Sequence, residues 1–303
     1  MAFKPPNAAR RRHAIGSVEE LSETLRLAFD PSTNFEPIPT PNPNDWLAIH
    51  LETGQKFNDF TKLKPKQPNS RQFRIYLQPF GDFPKERSPS VERLRAYTAA
   101  FFQMDVEVLS TLTLSDYHVT TRINPFTRKR QILTKDVLDL LRKRLPDDGF
   151  CILALTMEDL YPQPSWNFCF GQASLVNRVG VFSFVRYDPT FLGGKRELNY
   201  QRILLWRSCK VLTHETAHMF GLSHCIFFKC VLNGSNHLEE SDARPMHLCP
   251  VCLRKLHFSI QFDVLDRYRQ LLQFYQALDF DKEAQWVSNR LRMISQNSNS
   301  IEL

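Results

Sequence analysis

A chain of 303 residues, 42% hydrophobic and 12% aromatic, can bury a sizeable core as one large domain or two. No run approaches the ~18 apolar residues that would span a bilayer, and no apolar stretch follows the basic residues near Met1, so an ordinary secretory signal is not expected. The net charge of +7 is modest, and its densest runs (Arg10-Arg11-Arg12, Arg128-Lys129-Arg130, Arg142-Lys143-Arg144) are short, lack interleaved aromatics and, for the last two, are mixed with Asp136, Asp139, Asp147 and Asp148, so they are read as solvated surface and no nucleic-acid partner is expected.

Residues 1–70 are rich in Pro, Asn and Ser, most densely at Pro37, Pro39, Pro41 and Pro43, and only residues 18–29 carry a helical pattern. This segment is expected to be an extension, wrapped on the surface or partly disordered. The folded domain is expected to begin near Arg71. Residues 74–78 predict a strand, and Val91–Phe102 an amphipathic helix with Leu94, Tyr97, Ala100 and Phe101 on one side. A strand at 106–109 and a hairpin of 119–123 with 130–133 follow. Thr134 is placed as the cap of a helix running to Arg144. The unbroken apolar run at 150–156 predicts a strand in the middle of a sheet. Residues 167–175 and 179–186 predict two strands that flank a cleft. A loop at Gly193 and Gly194 leads into a long helix over 200–220, with Ile203, Leu204, Val211, His214 and His218 along one broad face. Beyond it, residues 258–280 predict one helix with Leu265, Tyr268, Leu272 and Tyr275 inward, and 283–293 a weaker one. The chain thus divides into the extension 1–70, an N-terminal lobe 71–221 ending in the long helix, and a C-terminal subdomain 222–303.

The chemistry concentrates at residues 214–224. His214 and His218 are four apart, so on a helix both rings lie on one face and can aim at one ion. Gly221 can take positive φ, end the helix and turn the chain so that His224 reaches the same metal. Three neutral imidazoles leave a tetrahedral zinc with one open position, the mark of a catalytic rather than a structural site. Zinc lowers the pKa of a bound water to about 7, and Glu215, beside the ligands, is placed to take the proton and pass it to a leaving amine. The reaction class is peptide-bond hydrolysis.

A second cluster starts at the next residue. Cys225 and Cys230, then Cys249 and Cys252, have the paired spacing of a four-thiolate structural zinc. A redox pair would open a helix after a strand in a thioredoxin-like unit, which is not found here; a nucleic-acid-binding zinc ribbon would show salt-dependent oligonucleotide binding. Two zinc ions per chain are therefore expected. Of the seven cysteines, Cys151, Cys169 and Cys209 remain as buried thiols, and thiolate ligands rather than disulfides place the protein inside the cell, cytoplasmic with a nuclear location open.

The pattern from His214 through Cys252 resembles the archaemetzincin family of metallopeptidases. Leu160-Tyr161-Pro162, Ser165-Trp166-Asn167-Phe168, Phe170-Gly171-Gln172-Ala173-Ser174, Gly234-Ser235-Asn236-His237-Leu238-Glu239-Glu240 and Arg244-Pro245 extend the likeness to its vertebrate branch. The resemblance implies a metzincin-like α+β zinc peptidase domain: a twisted mixed sheet, mostly parallel with an antiparallel edge strand, packed on helices, plus a small C-terminal subdomain organised by the four-cysteine zinc. It also implies that the strand at 179–186 offers a free edge to a peptide. Peptides or small proteins are the expected substrates, for an aminopeptidase or oligopeptidase acting as a monomer; the alternative is a zinc- and peptide-binding module with little or no turnover. In one respect the chain departs from the family. Leu232 stands where a methionine usually forms the turn beneath the catalytic zinc, and Met246, nearer the later cysteines, does not match that place.

Overall fold

The computed structural model describes residues 2–298. In chain order, the first segment carries short helices α1 (Ala8–Ile15), α2 (Glu23–Ala28), α3 (Trp46–Ile49) and α4 (Phe57–Lys62). Next come β1 (Arg74–Phe80), α5 (Val91–Phe102), β2 (Asp105–Val108), β3 (Thr121–Ile123), β4 (Arg130–Leu133), α6 (Thr134–Arg144), β5 (Gly149–Thr156), β6 (Asp159–Tyr161), β7 (Gly171–Ser174), β8 (Val179–Ser183) and α7 (Tyr200–Met219). The last segment is helical: α8 (Leu238–Ala243), α9 (Pro250–Ile260), α10 (Val264–Gln276) and α11 (Asp281–Ser298). Two compact units result: Pro68–Met219, and Met1–Gln67 together with Phe220–Leu303.

In the unit Pro68–Met219 a five-stranded sheet has the order β2-β1-β5-β8-β7. All neighbours are parallel except β7, which runs antiparallel to β8. All eight residues of β5 are buried, as expected of a parallel strand covered on both faces. Tyr76, Ile152, Ala154, Val179 and Val181 pack with Val137 and Leu141 of α6 into one core cluster, while α7 packs on α5, β7 and β8. A smaller sheet, β3-β4-β6, has the expected hairpin in β3 and β4.

Two expectations are corrected here. β8 is not an edge: it lies between β5 and β7 with all five residues buried, so the open edge on that side belongs to β7. Thr134 does not cap α6. Leu133 occupies the cap position with no side-chain bond, and the Thr134 hydroxyl instead donates to Gln172 Oε1 in β7.

The other unit is built from both ends of the described chain. α1 and α4 pack on α9, and α2 packs on α10 and α11. Ala14, Ala28, Phe29 and Phe60 are at most 1% exposed, and Arg254 and Arg290 donate to the carbonyls of Ile15 and of Leu27 and Ala28. Helices α1, α2 and α4 therefore contribute to a core, where a surface extension was expected. The expected single helix at 258–280 is two helices. Gln261 adopts a left-handed φ of 60° that closes α9, and the Asp263 side chain accepts from Asp266 N to start α10. Among the described residues no helix is long and apolar enough to cross a membrane.

Candidate metal centres and the catalytic helix

In α7 the rings of His214 and His218 are 4.6 Å apart at right angles, the convergence that i,i+4 spacing gives. His214 is buried, and Glu215 and His218 are half-buried. The helix is fixed by tight packing and by the Thr213 hydroxyl against Tyr97 Oη at 3.4 Å. Glu215 lies against the start of β7: a Cβ added to Gly171 would stand 3.2 Å from Glu215 Cγ. Burial pushes the Cys169 thiol well up, and the Glu215 and Asp159 carboxylates push it further. Cys151 and Cys209 are buried as expected, whereas Cys169 is partly exposed as a residue although its thiol is enclosed.

The loop leading into β7 is held by a polar network that sequence reading did not find. Arg122 donates to the carbonyls of Pro164, Trp166 and Asn167 at 2.9, 2.5 and 3.0 Å and sits 3.9 Å over the Tyr161 ring. Gln131 reaches Asn167 O at 3.1 Å and Asp159 at 2.9 Å. Asp159 also takes a two-pronged bond from Arg186 at 2.6 and 2.8 Å. With side chains only 9% and 1% exposed, this pair is a strong, directional tie.

In the unit built from both chain ends, Gly221 has φ +86°, as the turn after the helix requires. Gln55 grips this turn from both sides, donating to Gly221 O at 3.0 Å and accepting from Ser223 N at 3.1 Å. His224 Nδ1 lies 2.8 Å from Glu52 Oε1, the same oxygen that accepts from Trp46 Nε1 at 2.8 Å. The Trp46 ring meets the His224 ring edge-on, with centroids 5.0 Å apart.

Cys225, Cys230, Cys249 and Cys252 converge, with all four sulfurs within 4.8 Å of one another and buried. The Cys225 and Cys249 sulfurs are 3.5 Å apart, too far for a disulfide and near the ~3.8 Å edge of a tetrahedron with 2.3 Å zinc–sulfur bonds. Burial disfavours a thiolate at Cys225, but hydrogen bonding from the three other thiols outweighs it and holds that pKa well below the usual thiol range. The donor set fits a closed zinc site. Leu232 is fully buried and its carbonyl accepts from Cys225 N at 2.8 Å.

Among the described residues of the unit that holds both chain ends, two groups of side chains could hold a metal: these four cysteines, and Asp45, His237 and Glu240. The second is engaged as a latch. Glu240 accepts from Trp46 N at 2.9 Å and Asn236 N at 2.7 Å, while His237 accepts from Glu240 N through Nδ1 at 3.2 Å and faces Asp45 through Nε2 at 3.2 Å.

Residues 118–258 match the model of Peptidase family M54. Archaemetzincin-2 of Mus musculus is 41% identical over 278 residues, covering 82% of this chain and 77% of that protein. The chain belongs to the archaemetzincin family. Archaemetzincin-2 of Homo sapiens is 40% identical over 280 residues, with the same coverage. The crystal structure of archaemetzincin from Methanopyrus kandleri superposes with a TM-score of 0.50 at 29% identity, covering 64% of this chain and 99% of that one. Membership supports zinc metallopeptidase activity in general, with peptides or proteins as substrates. Trp46, Glu52 and Gln55, which hold the His224 turn of this archaemetzincin, lie outside the segment matched by the family model.

Proposed function

We propose that the chain hydrolyses peptide bonds at a zinc held by His214, His218 and His224, with Glu215 as the proton-transferring base and the four cysteines holding a second, structural zinc. The paired α7 imidazoles carry this reading, because they are the ligand pair that the motif requires, already facing one another. His224 suits the third place: a carboxylate only accepts, so Glu52 fixes the proton on Nδ1 and leaves the Nε2 lone pair for a metal. When bound, the ion would supply Lewis acidity that makes a water acidic and a scissile carbonyl electrophilic.

Glu215 cannot join the ligands on its own helix turn, but its half-buried carboxylate can collect the water's proton and deliver it to the departing amine. The open edge of β7 suits main-chain pairing with an extended substrate. Gly171 begins that strand beside the Glu215 side chain, with room for less than a methyl group between them, so a peptide aligned along β7 runs past the base. Short extended peptides are the substrates this arrangement favours.

The test is Glu215→Gln, which keeps size and removes the base. Metal content should be unchanged while turnover on a peptide library falls by ~10²-fold or more. Hydrolysis near the wild-type rate would exclude Glu215 as the base. A wild-type chain that binds peptide and zinc without turnover would establish the binding-module alternative.

A further inference from the structure

We infer that Glu52 and Trp46, from the N-terminal segment, are positioning residues for His224, and that the Gly234 to Glu240 stretch exists to seat Trp46. The inference rests on the reading of His224 as the third zinc ligand. Ligating histidines generally donate their second ring N–H to a carboxylate or carbonyl, which fixes tautomer and ring orientation. Glu52 Oε1 supplies that acceptor at 2.8 Å and is itself held by the Trp46 indole N–H at 2.8 Å. The indole edge contact with His224 limits rotation about the remaining ring torsion.

Trp46 is held in turn from several sides. Its backbone N–H donates to Glu240 Oε1 at 2.9 Å, and Glu240 Oε2 secures Asn236 N at 2.7 Å. His50 packs on its face with centroids 4.0 Å apart. Gly234 admits the ring: a Cβ there would stand 2.6 Å from Trp46 Nε1, closer than any real contact. The chain from Glu240 through Trp46 and Glu52 to His224 is thus continuous. It gives Gly234, Asn236 and Glu240 a purpose, and it makes residues 45–52 part of the metal site's support.

The experiment compares wild type, Glu52→Ala, Glu52→Gln, Trp46→Phe and His224→Ala in zinc and cobalt(II) titrations of the full chain. Thiolate charge-transfer bands report the cysteine site and the weaker visible bands the histidine site, and melting curves check folding. Glu52→Ala should weaken metal binding at the histidine site by about 10–100-fold and leave the thiolate bands unchanged. Glu52→Gln should recover part of the loss, because its amide oxygen can still accept from Nδ1–H. Trp46→Phe keeps a ring but loses the donor to Glu52, and should give a smaller loss; it carries the test if Glu52→Ala does not fold. Imidazole nitrogen–proton spectra of the chain loaded with one equivalent of zinc, which fills the cysteine site first, should place the His224 proton on Nδ1 in wild type and shift it toward Nε2 in Glu52→Ala, a change that general destabilisation would not produce. Wild-type affinity and tautomer in Glu52→Ala, with binding impaired in His224→Ala, would overturn the positioning role and leave the ligand reading intact. Unimpaired binding in His224→Ala would defeat the ligand reading itself and this inference with it.

Discussion

Gly171 and Gly180 offer a matched pair of substitutions in adjacent, paired strands. Replacing Gly171 by Ala would put a Cβ 2.9 Å from Phe182 Cβ and 3.0 Å from Val181 O. Those atoms belong to β8, which is buried and paired on its far side to β5, so β8 cannot yield and β7 must shift outward. Such overpacking costs about 1–3 kcal/mol. The new methyl also lies 3.2 Å from Glu215 Cγ, and a displaced base should lower kcat about tenfold or more, with zinc content unchanged. At Gly180 the nearest atom to an added Cβ is 3.6 Å away, an ordinary contact, and neither glycine has positive φ. Gly180→Ala should therefore be neutral or gain about 0.4–1 kcal/mol from a less flexible unfolded chain. Urea unfolding midpoints and peptide turnover for both variants decide the matter. The reasoning is refuted if Gly171→Ala stays within about 0.5 kcal/mol of wild type at full activity, or if Gly180→Ala costs as much.

Other outcomes are equally checkable. The double variant Cys249→Ser, Cys252→Ser should lose one zinc by elemental analysis and fall sharply in soluble yield, since structural zinc is coupled to folding; a fully folded product with unchanged metal content would show the cysteines are not ligands. Leu232→Ala at a fully buried position should cost about 2–5 kcal/mol in denaturant unfolding, whereas Leu232→Met should cost less than about 1.5 kcal/mol; a silent Leu232→Ala would remove any supporting role for that side chain, and a large activation by Leu232→Met would mark the natural leucine as a weakness. Burial, and then Arg254, lower the His257 pKa. The folded state therefore holds it neutral, and its contribution, full above the unfolded value of ~6.5, is lost as pH falls toward the depressed folded value. His257→Phe should flatten the stability profile below that pH, and an unchanged profile would contradict this.

The parts that were legible in the sequence are those whose partners lie nearby in the chain. His214, Glu215 and His218 encode their geometry in helical spacing, the cysteines encode theirs in two short pairs, and β5 announces itself by an unbroken apolar run. What was missed depends on distant partners. Glu52 and Gln55 meet His224 and Gly221 at separations of 172 and 166 residues, and nothing local distinguishes them from solvent-facing residues in a Pro-rich segment. The family resemblance implies a free edge at 179–186, while β7, which holds that edge, is a short Gly-Gln-Ala-Ser stretch with little periodic signal. The break between α9 and α10 turns on a left-handed Gln261, a residue with no strong preference for that conformation.

A unit made from the two ends of the chain also dictates when it can form. Residues 68–219 form one continuous compact unit that can fold as soon as it leaves the ribosome, whereas residues 2–67 share their unit with residues 220–298. At roughly 5–20 residues per second, about 10–50 s pass between synthesis of residue 67 and residue 303. During that interval Phe29, Phe60 and Trp46 have no core to enter and are exposed to chaperones and proteases. The seat of His224 is therefore among the last features to assemble, and stalled nascent chains should show residues 68–219 protected from proteolysis well before residues 1–67.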